Sequence, residues 1–213
     1  MVGLHHDRER QSTMNSLLET PARALLAGLA ITAIILAAWL VADPVDGTGL
    51  ISVLLRFVHV VAAMAWVGLI FFVNFVQIGA LAEADEAGRG AIQRWIVPRA
   101  AQGYRHASHL VVLSGVLLLV ASGYVLGNWV FASAVYIPSV RTTTLWAGVL
   151  GGLIMWALVH FAIWPNLKIA LGETAADDGT RAQARQALKL YARLNLMLAL
   201  PVTFAMIAAA HLA

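Results

Sequence analysis

The sequence contains no cysteine. This absence excludes disulfide bonds, thiolate metal sites and a covalently attached c-type haem, which needs a Cys-x-x-Cys-His motif. Charged residues are also scarce: they make up 12% of the chain, about half of the share that a soluble domain carries. Together with a hydrophobic share of 61%, this scarcity of charge indicates an integral membrane protein.

Five stretches have no formal charge, and each reaches the length of about 20 residues that a helix needs to cross a bilayer. They are residues 24–42, 57–82, 107–140, 142–167 and 194–213. Apolar and polar positions do not alternate in them, which favours helices over a β-barrel. The sequence therefore predicts an all-α integral membrane protein, a five-transmembrane-helix bundle. We expect a polar tail at 1–20 and one domain at 21–213, with spans at about 21–42, 50–82, 104–128, 141–168 and 183–213.

The basic residues are distributed very unevenly between the two ends of these spans. One side holds only Arg56 and Arg141, and the other holds twelve of the fourteen, which are Arg8, Arg10, Arg23, Arg89, Arg94, Arg99, Arg105, Lys168, Arg181, Arg185, Lys189 and Arg193. Because loops rich in Lys and Arg stay in the cytoplasm, we expect a cytoplasmic N-terminus and a C-terminus outside, in a bacterial inner membrane. Basic residues at helix ends, rather than in one patch, argue against nucleic-acid binding.

Five histidines lie within or at the ends of the apolar spans, and all of them except His106 are candidate ligands. A histidine in hydrocarbon is costly, so His59, the deepest of them, is a candidate functional residue. Residue counts from the ends of the spans place His59 and His211 in the outer half of the membrane, and His109 and His160 in the inner half. At a rise of 1.5 Å per residue, the two levels differ by about 15–20 Å.

Histidines at two levels on facing helices are typical of membrane cytochromes with two stacked b-type haems. The sequence predicts one haem b at His59 and His211, and a second candidate site at His109 and His160. Arg56 lies one turn outward of His59, and Arg105 lies one turn inward of His109, so each guanidinium is a candidate partner for haem propionates. A purely structural role stays open for each histidine, since an imidazole near a helix end can also bond a main-chain carbonyl or lie in the interface.

Two spans resemble a known family. The second is similar to the second helix of the membrane domain of PuuD-type urate hydroxylases, in the motifs Arg56-x-x-His59, Trp66-x-Gly68 and Phe71-Phe72-x-Asn74-Phe75-x-Gln77. The last span, from Leu200-Pro201 to His211, resembles that domain's closing motif, and Ile163-Trp164-Pro165-Asn166 is similar to a shorter subgroup.

The resemblance implies an integral membrane oxidoreductase in which His59 and His211 match motif histidines; His109 and His160 are not carried over. The chain is shorter than the family's membrane domain and lacks its C-terminal cytochrome c domain, so urate is not the expected substrate.

These observations leave three functions open. The first is a b-haem-binding membrane oxidoreductase or electron-transfer protein, with a quinone and a cytochrome c as candidate partners. The second is a non-catalytic accessory subunit of a larger respiratory or photosynthetic complex, which co-purification without a cofactor would indicate. The third is a HemJ-like haem-pathway oxidase, whose deletion would let porphyrinogen accumulate. A copper or ion transporter is not favoured, because the spans contain no Met-rich or carboxylate-lined path.

Overall fold

The computed structural model describes residues 18–122 and 139–211. The polar tail expected at 1–20 lies mostly outside the described residues, as does the end of the third span predicted at 128. The described part is helical, and five of its helices are long and apolar enough to cross a membrane. They are α1 (Pro21–Ala42), α2 (Gly47–Glu83), α3 (Glu86–Ala121), α4 (Val140–Leu171) and α5 (Asp178–His211).

Several of these helices extend beyond the spans expected from charge. Helix α2 begins at Gly47 and α3 at Glu86, whereas the sequence predicts starts at about 50 and 104. A charged residue ends an uncharged run, but it does not end a helix. The additional turns carry basic and acidic side chains, as expected where a helix leaves the hydrocarbon for the membrane interface.

The pattern of exposure is the reverse of that in a soluble protein. Large apolar side chains lie on the surface. Examples are Ile34, Met64, Phe161 and Phe204, which are 69–74% exposed. The buried positions are mostly small residues, namely Ala62, Ala100, Ser108, Ser114, Ala184, Ala192, Ala199, Ala205 and Ala209. Small residues at helix contacts and large apolar residues facing outward are typical of helices packed in lipid. The protein is therefore a multi-pass helical membrane protein.

The chain divides into two compact units, Met1–Leu50 and Ile51–Ala213. Helix α1 belongs to the first unit. It begins with Thr20, whose Oγ1 accepts a hydrogen bond from the backbone N–H of Arg23 at 3.3 Å, and Pro21 follows. A side-chain acceptor before a proline at the first helical position is a favourable helix start.

In the second unit, side chains from four helices form the core. Trp66 of α2 and Tyr104 of α3 meet edge to face, with ring centroids 6.4 Å apart. Met155 and Val159 of α4 and Ala199 of α5 complete this buried cluster. Helix α2 also reaches α5 on the other side, because the Asn74 side-chain N–H donates to Ala192 O at 3.2 Å.

Three of the long helices contain a short π-helical segment. These segments are Phe72–Gln77 in α2, Ile92–Ile96 in α3 and Leu158–Ile163 in α4. At their ends the N–H of Ile78 bonds Val73 O, and the N–H of Trp164 bonds Val159 O, five residues earlier in each case. Single π turns often occur at functional sites, because they rotate the side chains that follow.

The start of α5 supplies a prediction that depends on pH. Asp177 Oδ1 accepts from the backbone N–H of Thr180 and Oδ2 from the Thr180 hydroxyl, both at 2.8 Å. These bonds hold the pKa of the Asp177 carboxyl below its ordinary value of 3.8. The lowered pKa stabilises the folded protein at pH values above 3.8, and this contribution is lost as the pH falls through the pKa of the folded state. We expect Asp177→Ala to lower the melting temperature slightly at pH 7.

The matched control is Asp177→Asn, which keeps a capping oxygen without the charge. Its melting temperature at pH 7 should be close to that of the unsubstituted protein. Its melting temperature should also fall less as the pH is lowered, because it has no carboxylate at position 177 to protonate. Thermal melts of the three proteins in one detergent between pH 3 and pH 7 measure both effects. Equal melting temperatures of the alanine and unsubstituted proteins at pH 7 would contradict the capping role.

Candidate functional site

Two histidines from facing helices are in direct contact. The Nε2 atoms of His109 in α3 and His160 in α4 are 2.8 Å apart, and the ring centroids are 4.1 Å apart. The indole of Trp156, one turn before His160, lies against both rings, with centroids 4.6 Å from His160 and 6.1 Å from His109. His160 belongs to the π-helical segment of α4. We call these three side chains the histidine cluster.

The hydrogen bonds of the histidine cluster select one tautomer for each neutral ring. Trp156 Nε1–H donates to His109 Nδ1 at 3.4 Å, so His109 carries its proton on Nε2 and donates to His160 Nε2. His160 then carries its proton on Nδ1 and donates to the main-chain oxygen of Trp156 at 2.8 Å. A histidine whose Nδ1–H bonds a carbonyl presents its Nε2 lone pair, which is the usual arrangement of a metal-ligating imidazole.

Arginine and tryptophan lie on the inner side of this cluster. The Arg105 guanidinium carbon lies 4.4 Å from the centroid of the Trp164 ring, and the Lys168 ammonium lies 5.7 Å from the same ring. Arg105 lies one helical turn from His109, the position from which it is predicted to pair with a haem propionate. The contact with Trp164 holds the guanidinium near the cluster through a cation–π interaction.

The hydrogen bonds of His59 join it to α3. Its Nδ1 lies 3.0 Å from Val111 O and 3.2 Å from Ser114 Oγ. A Cβ atom added at Gly115 would lie 3.0 Å from His59 Cε1, so the glycine leaves room for the ring. As in His160, a bond from Nδ1–H to a main-chain oxygen leaves the Nε2 lone pair of the neutral ring available.

The other two residues of the predicted outer site lie apart from this contact. His211 ends α5 as described, and its Nδ1 bonds Ile207 O of the same helix at 2.8 Å. Arg56 is exposed on α2. The Nδ1 bond of His211 again leaves Nε2 as the available nitrogen.

Packing contacts show where the four histidines lie along the bundle. Val111 and Ser114, which hold His59, lie two and five residues outward of His109, or about 3–8 Å of helix rise. Gly148 of α4 packs against Met206 of α5, and His160 and His211 lie on opposite sides of that contact. The rise between these two histidines is therefore about 25 Å.

His59 therefore lies about 3–8 Å outward of His109, less than the expected difference of 15–20 Å. The expected value came from counting residues along each span separately, whereas the hydrogen bonds of His59 to Val111 O and Ser114 Oγ fix its level on α3. His59 and His211 lie about 17 Å or more apart along the bundle. A haem shared by that pair stays a prediction, and it would require α2 and α5 to slide past each other.

The histidine cluster is open to the surface of the second unit. His109 is exposed and His160 is partly exposed, and both helices continue with large apolar side chains toward lipid. Polar groups at the depth of hydrocarbon have no water to bond, so such positions are commonly functional or covered by a further component. Among the residues that the structure describes, no three His, Cys, Asp or Glu side chains form a group that could hold a metal ion.

No family model, curated protein or solved structure matches this chain. The class of the protein therefore rests on its fold, which is that of a multi-pass helical membrane protein. The resemblance to urate hydroxylases stays a prediction from sequence motifs.

Proposed function

We propose that this chain is a b-haem-binding membrane electron-transfer protein or oxidoreductase. The observation that carries the proposal is the contact between His109 and His160, two imidazoles from facing apolar helices. A b-type haem in a helical bundle is held by such a pair. Arg105, one turn away, would pair with a propionate, and His59 on the neighbouring helix face is the candidate ligand of an additional site.

The residues present fit this group in their chemistry. Haem iron takes four nitrogens from the porphyrin, so two imidazoles complete its coordination. The Nδ1–H of His160 is bonded to Trp156 O, so its Nε2, which now accepts from His109 Nε2–H, is the nitrogen that would hold the iron. His109 would have to change tautomer and give up its hydrogen bonds to Trp156 and His160. Because the two ring centroids are 4.1 Å apart, α3 and α4 would have to move apart here to admit the group.

When bound, a b-haem supplies a one-electron redox couple. The chain's own part is to hold the ligands and to tune their environment. The main-chain oxygen of Trp156 orients His160 and raises its basicity as a ligand. Arg105 adds positive charge beside the site, which favours the propionate charges.

A reduction assay tests the electron-transfer role. Protein purified from haem-replete cells should show a b-type α-band when a quinol such as duroquinol is added, and the band should disappear on addition of an oxidised cytochrome c. A haem band that responds to dithionite but not to quinol would contradict a quinone as the donor. A colourless protein that co-purifies in fixed stoichiometry with a larger complex would instead establish the accessory subunit.

The uneven distribution of basic residues supports an orientation with the N-terminus in the cytoplasm and the C-terminus outside. A bacterial inner membrane stays part of this proposal. Thr48, in the first turn of α2, would then face outward, and Glu173, between α4 and α5, would face the cytoplasm. Both side chains are exposed.

Because the chain has no cysteine, single cysteine variants can test this orientation without background labelling. We expect a membrane-impermeant maleimide to modify Thr48→Cys in intact cells and to modify Glu173→Cys only after permeabilisation. The reverse pattern would show that the charge rule fails for this protein. Each variant serves as the control for the other, since the two chains differ only in the position of the thiol.

A further inference from the structure

A cavity of about 440 Å³ lies among α2, α3, α4 and α5, separate from the histidine cluster. Its deep end is formed by Asn74, Gln77 and Tyr104, and apolar side chains such as Ile163 and Leu167 form its walls. Pockets that bind small molecules combine apolar walls with a few polar groups that converge on the ligand. The composition of this cavity corresponds to that pattern.

The deep end contains a polar atom that lacks a partner. Gln77 is 9% exposed, it lines the cavity, and its Oε1 atom is buried without a hydrogen bond from the described residues. Leaving a buried acceptor unpaired costs free energy, so native proteins normally satisfy such atoms with protein, water or ligand. Gln77 therefore calls for a hydrogen-bond donor inside the cavity.

The other end of the cavity is positively charged. Arg89 of α3 and Arg185 and Lys189 of α5 lie in its lining, and none of the described lining residues is acidic. Arg89 is held there by hydrogen bonds to Leu81 O and Ala84 O, both at 3.1 Å. Three cations without a lining carboxylate favour a negatively charged group at the mouth.

The two ends lie about one helical turn apart along the bundle. Asn74 bonds Ala192 O, so Gln77, three residues further along α2, lies near the level of Lys189 on the oppositely directed α5. Arg185 lies four residues beyond Lys189, which corresponds to about 6 Å of rise. This distance is short for the acyl chain of a lipid and suits a single aromatic ring with two substituents. A lipid chain would also place its apolar end against the amide of Gln77.

We propose that this cavity is a binding site for a small organic anion with a carboxylate or phosphate at one end and a hydroxyl or N–H donor at the other. The anion lies at Arg89, Arg185 and Lys189, the body of the molecule contacts the apolar walls, and the donor bonds Gln77 Oε1. The proposal does not depend on haem binding.

Three related probes test the two ends of the site independently. They are 3-(4-hydroxyphenyl)propanoate, 3-phenylpropanoate, which lacks the donor, and 3-(4-hydroxyphenyl)propan-1-ol, which lacks the anion. We expect calorimetric titration of the full chain in phosphatidylcholine nanodiscs to show that the first probe binds about tenfold more tightly than either of the others. No saturable binding, or equal affinity for all three, would overturn the proposal.

Variants assign the two ends to residues. Gln77→Leu should remove the preference for the hydroxylated probe and leave the affinity for 3-phenylpropanoate unchanged. Arg185→Gln should weaken both anions and not the alcohol, whereas Arg99→Gln, outside the lining, should change nothing. An unchanged hydroxyl preference in Gln77→Leu would refute the role of the amide. Phosphatidylglycerol added to the nanodiscs should not displace the probe; displacement would mean that a lipid head group occupies the site and would overturn the assignment to a soluble anion.

Discussion

Replacing His160 by alanine should remove most of the Soret absorbance of the purified protein. The Nδ1–H of His160 bonds Trp156 O at 2.8 Å, so the lone pair of its Nε2, which now accepts from His109, is the one that would hold the iron. Loss of a group that only orients a metal ligand costs about 10–100-fold in metal affinity, and loss of the ligand itself should cost at least as much. Haem occupancy measured by absorbance per chain should therefore fall by about tenfold or more.

The control for this substitution is His106→Ala. His106 lies on the same helix as His109, it is exposed, and it should leave the Soret band unchanged. Size-exclusion profiles and thermal melts establish that both variants are folded. A His160→Ala protein that is folded and keeps its full haem content would exclude His160 as a ligand. His59→Ala tests the site predicted at His59 and His211 in the same assay, and His5→Ala should have no effect.

The second large effect concerns the packing of α4 against α5. A Cβ atom added at Gly151 would lie 2.5 Å from Val202 Cγ2. Val202 is β-branched and has one strongly preferred rotamer in a helix, so it cannot turn away without strain. Overpacking of this kind typically costs about 1–3 kcal/mol. We expect Gly151→Leu to destabilise the protein by at least this amount, and Gly151→Ala to do so by less, because alanine is about 1 kcal/mol better than glycine within a helix.

Gly152 provides a matched control one residue away. Nothing lies within 4 Å of a Cβ atom added at Gly152. Gly152→Ala should therefore be neutral or slightly stabilising, since it gains helix propensity without a clash. Melting temperatures in one detergent compare the variants directly. Equal melting temperatures for Gly151→Leu and Gly152→Leu would show that α4 and α5 do not pack through Gly151.

The helical membrane fold could be predicted from the sequence because it depends on composition over long windows. Uncharged runs of about 20 residues have few structural solutions in lipid. The helices extend beyond the predicted spans: α3 begins at Glu86, whereas the third span is expected from about 104. The physical reason is that the turns of a helix at the membrane interface carry charged residues, so a search for uncharged runs stops before the helix ends.

The pairing of His109 with His160 could be predicted from depth, since both histidines lie near the inner ends of neighbouring spans. The partners of His59 could not be predicted in this way. They are Val111 O and Ser114, and Gly115 makes room for the ring. Every residue has a main-chain carbonyl, so the sequence does not indicate which one accepts a bond from His59. The depth of His59 in the membrane also does not indicate which helix packs against its side of α2. The Ser-Gly pair in α3 was the available signal, because small residues permit close approach.

The cavity depends on helix geometry that the sequence does not display. Asn74 and Gln77 lie in the π-helical segment Phe72–Gln77, which changes their direction relative to a regular helix. The sequence shows that Asn74 and Gln77 are polar residues in an apolar span. It does not show that Arg89, Arg185 and Lys189 line the same cavity. Those three residues come from two helices about a hundred positions apart in the chain.

The measurement that tests the central proposal most directly is a pyridine haemochrome count on protein purified from haem-replete cells. A haem held by His109 and His160 predicts about one b-type haem per chain, and a filled site at His59 would raise the number to two. A folded, monodisperse protein with no haem would contradict the proposal.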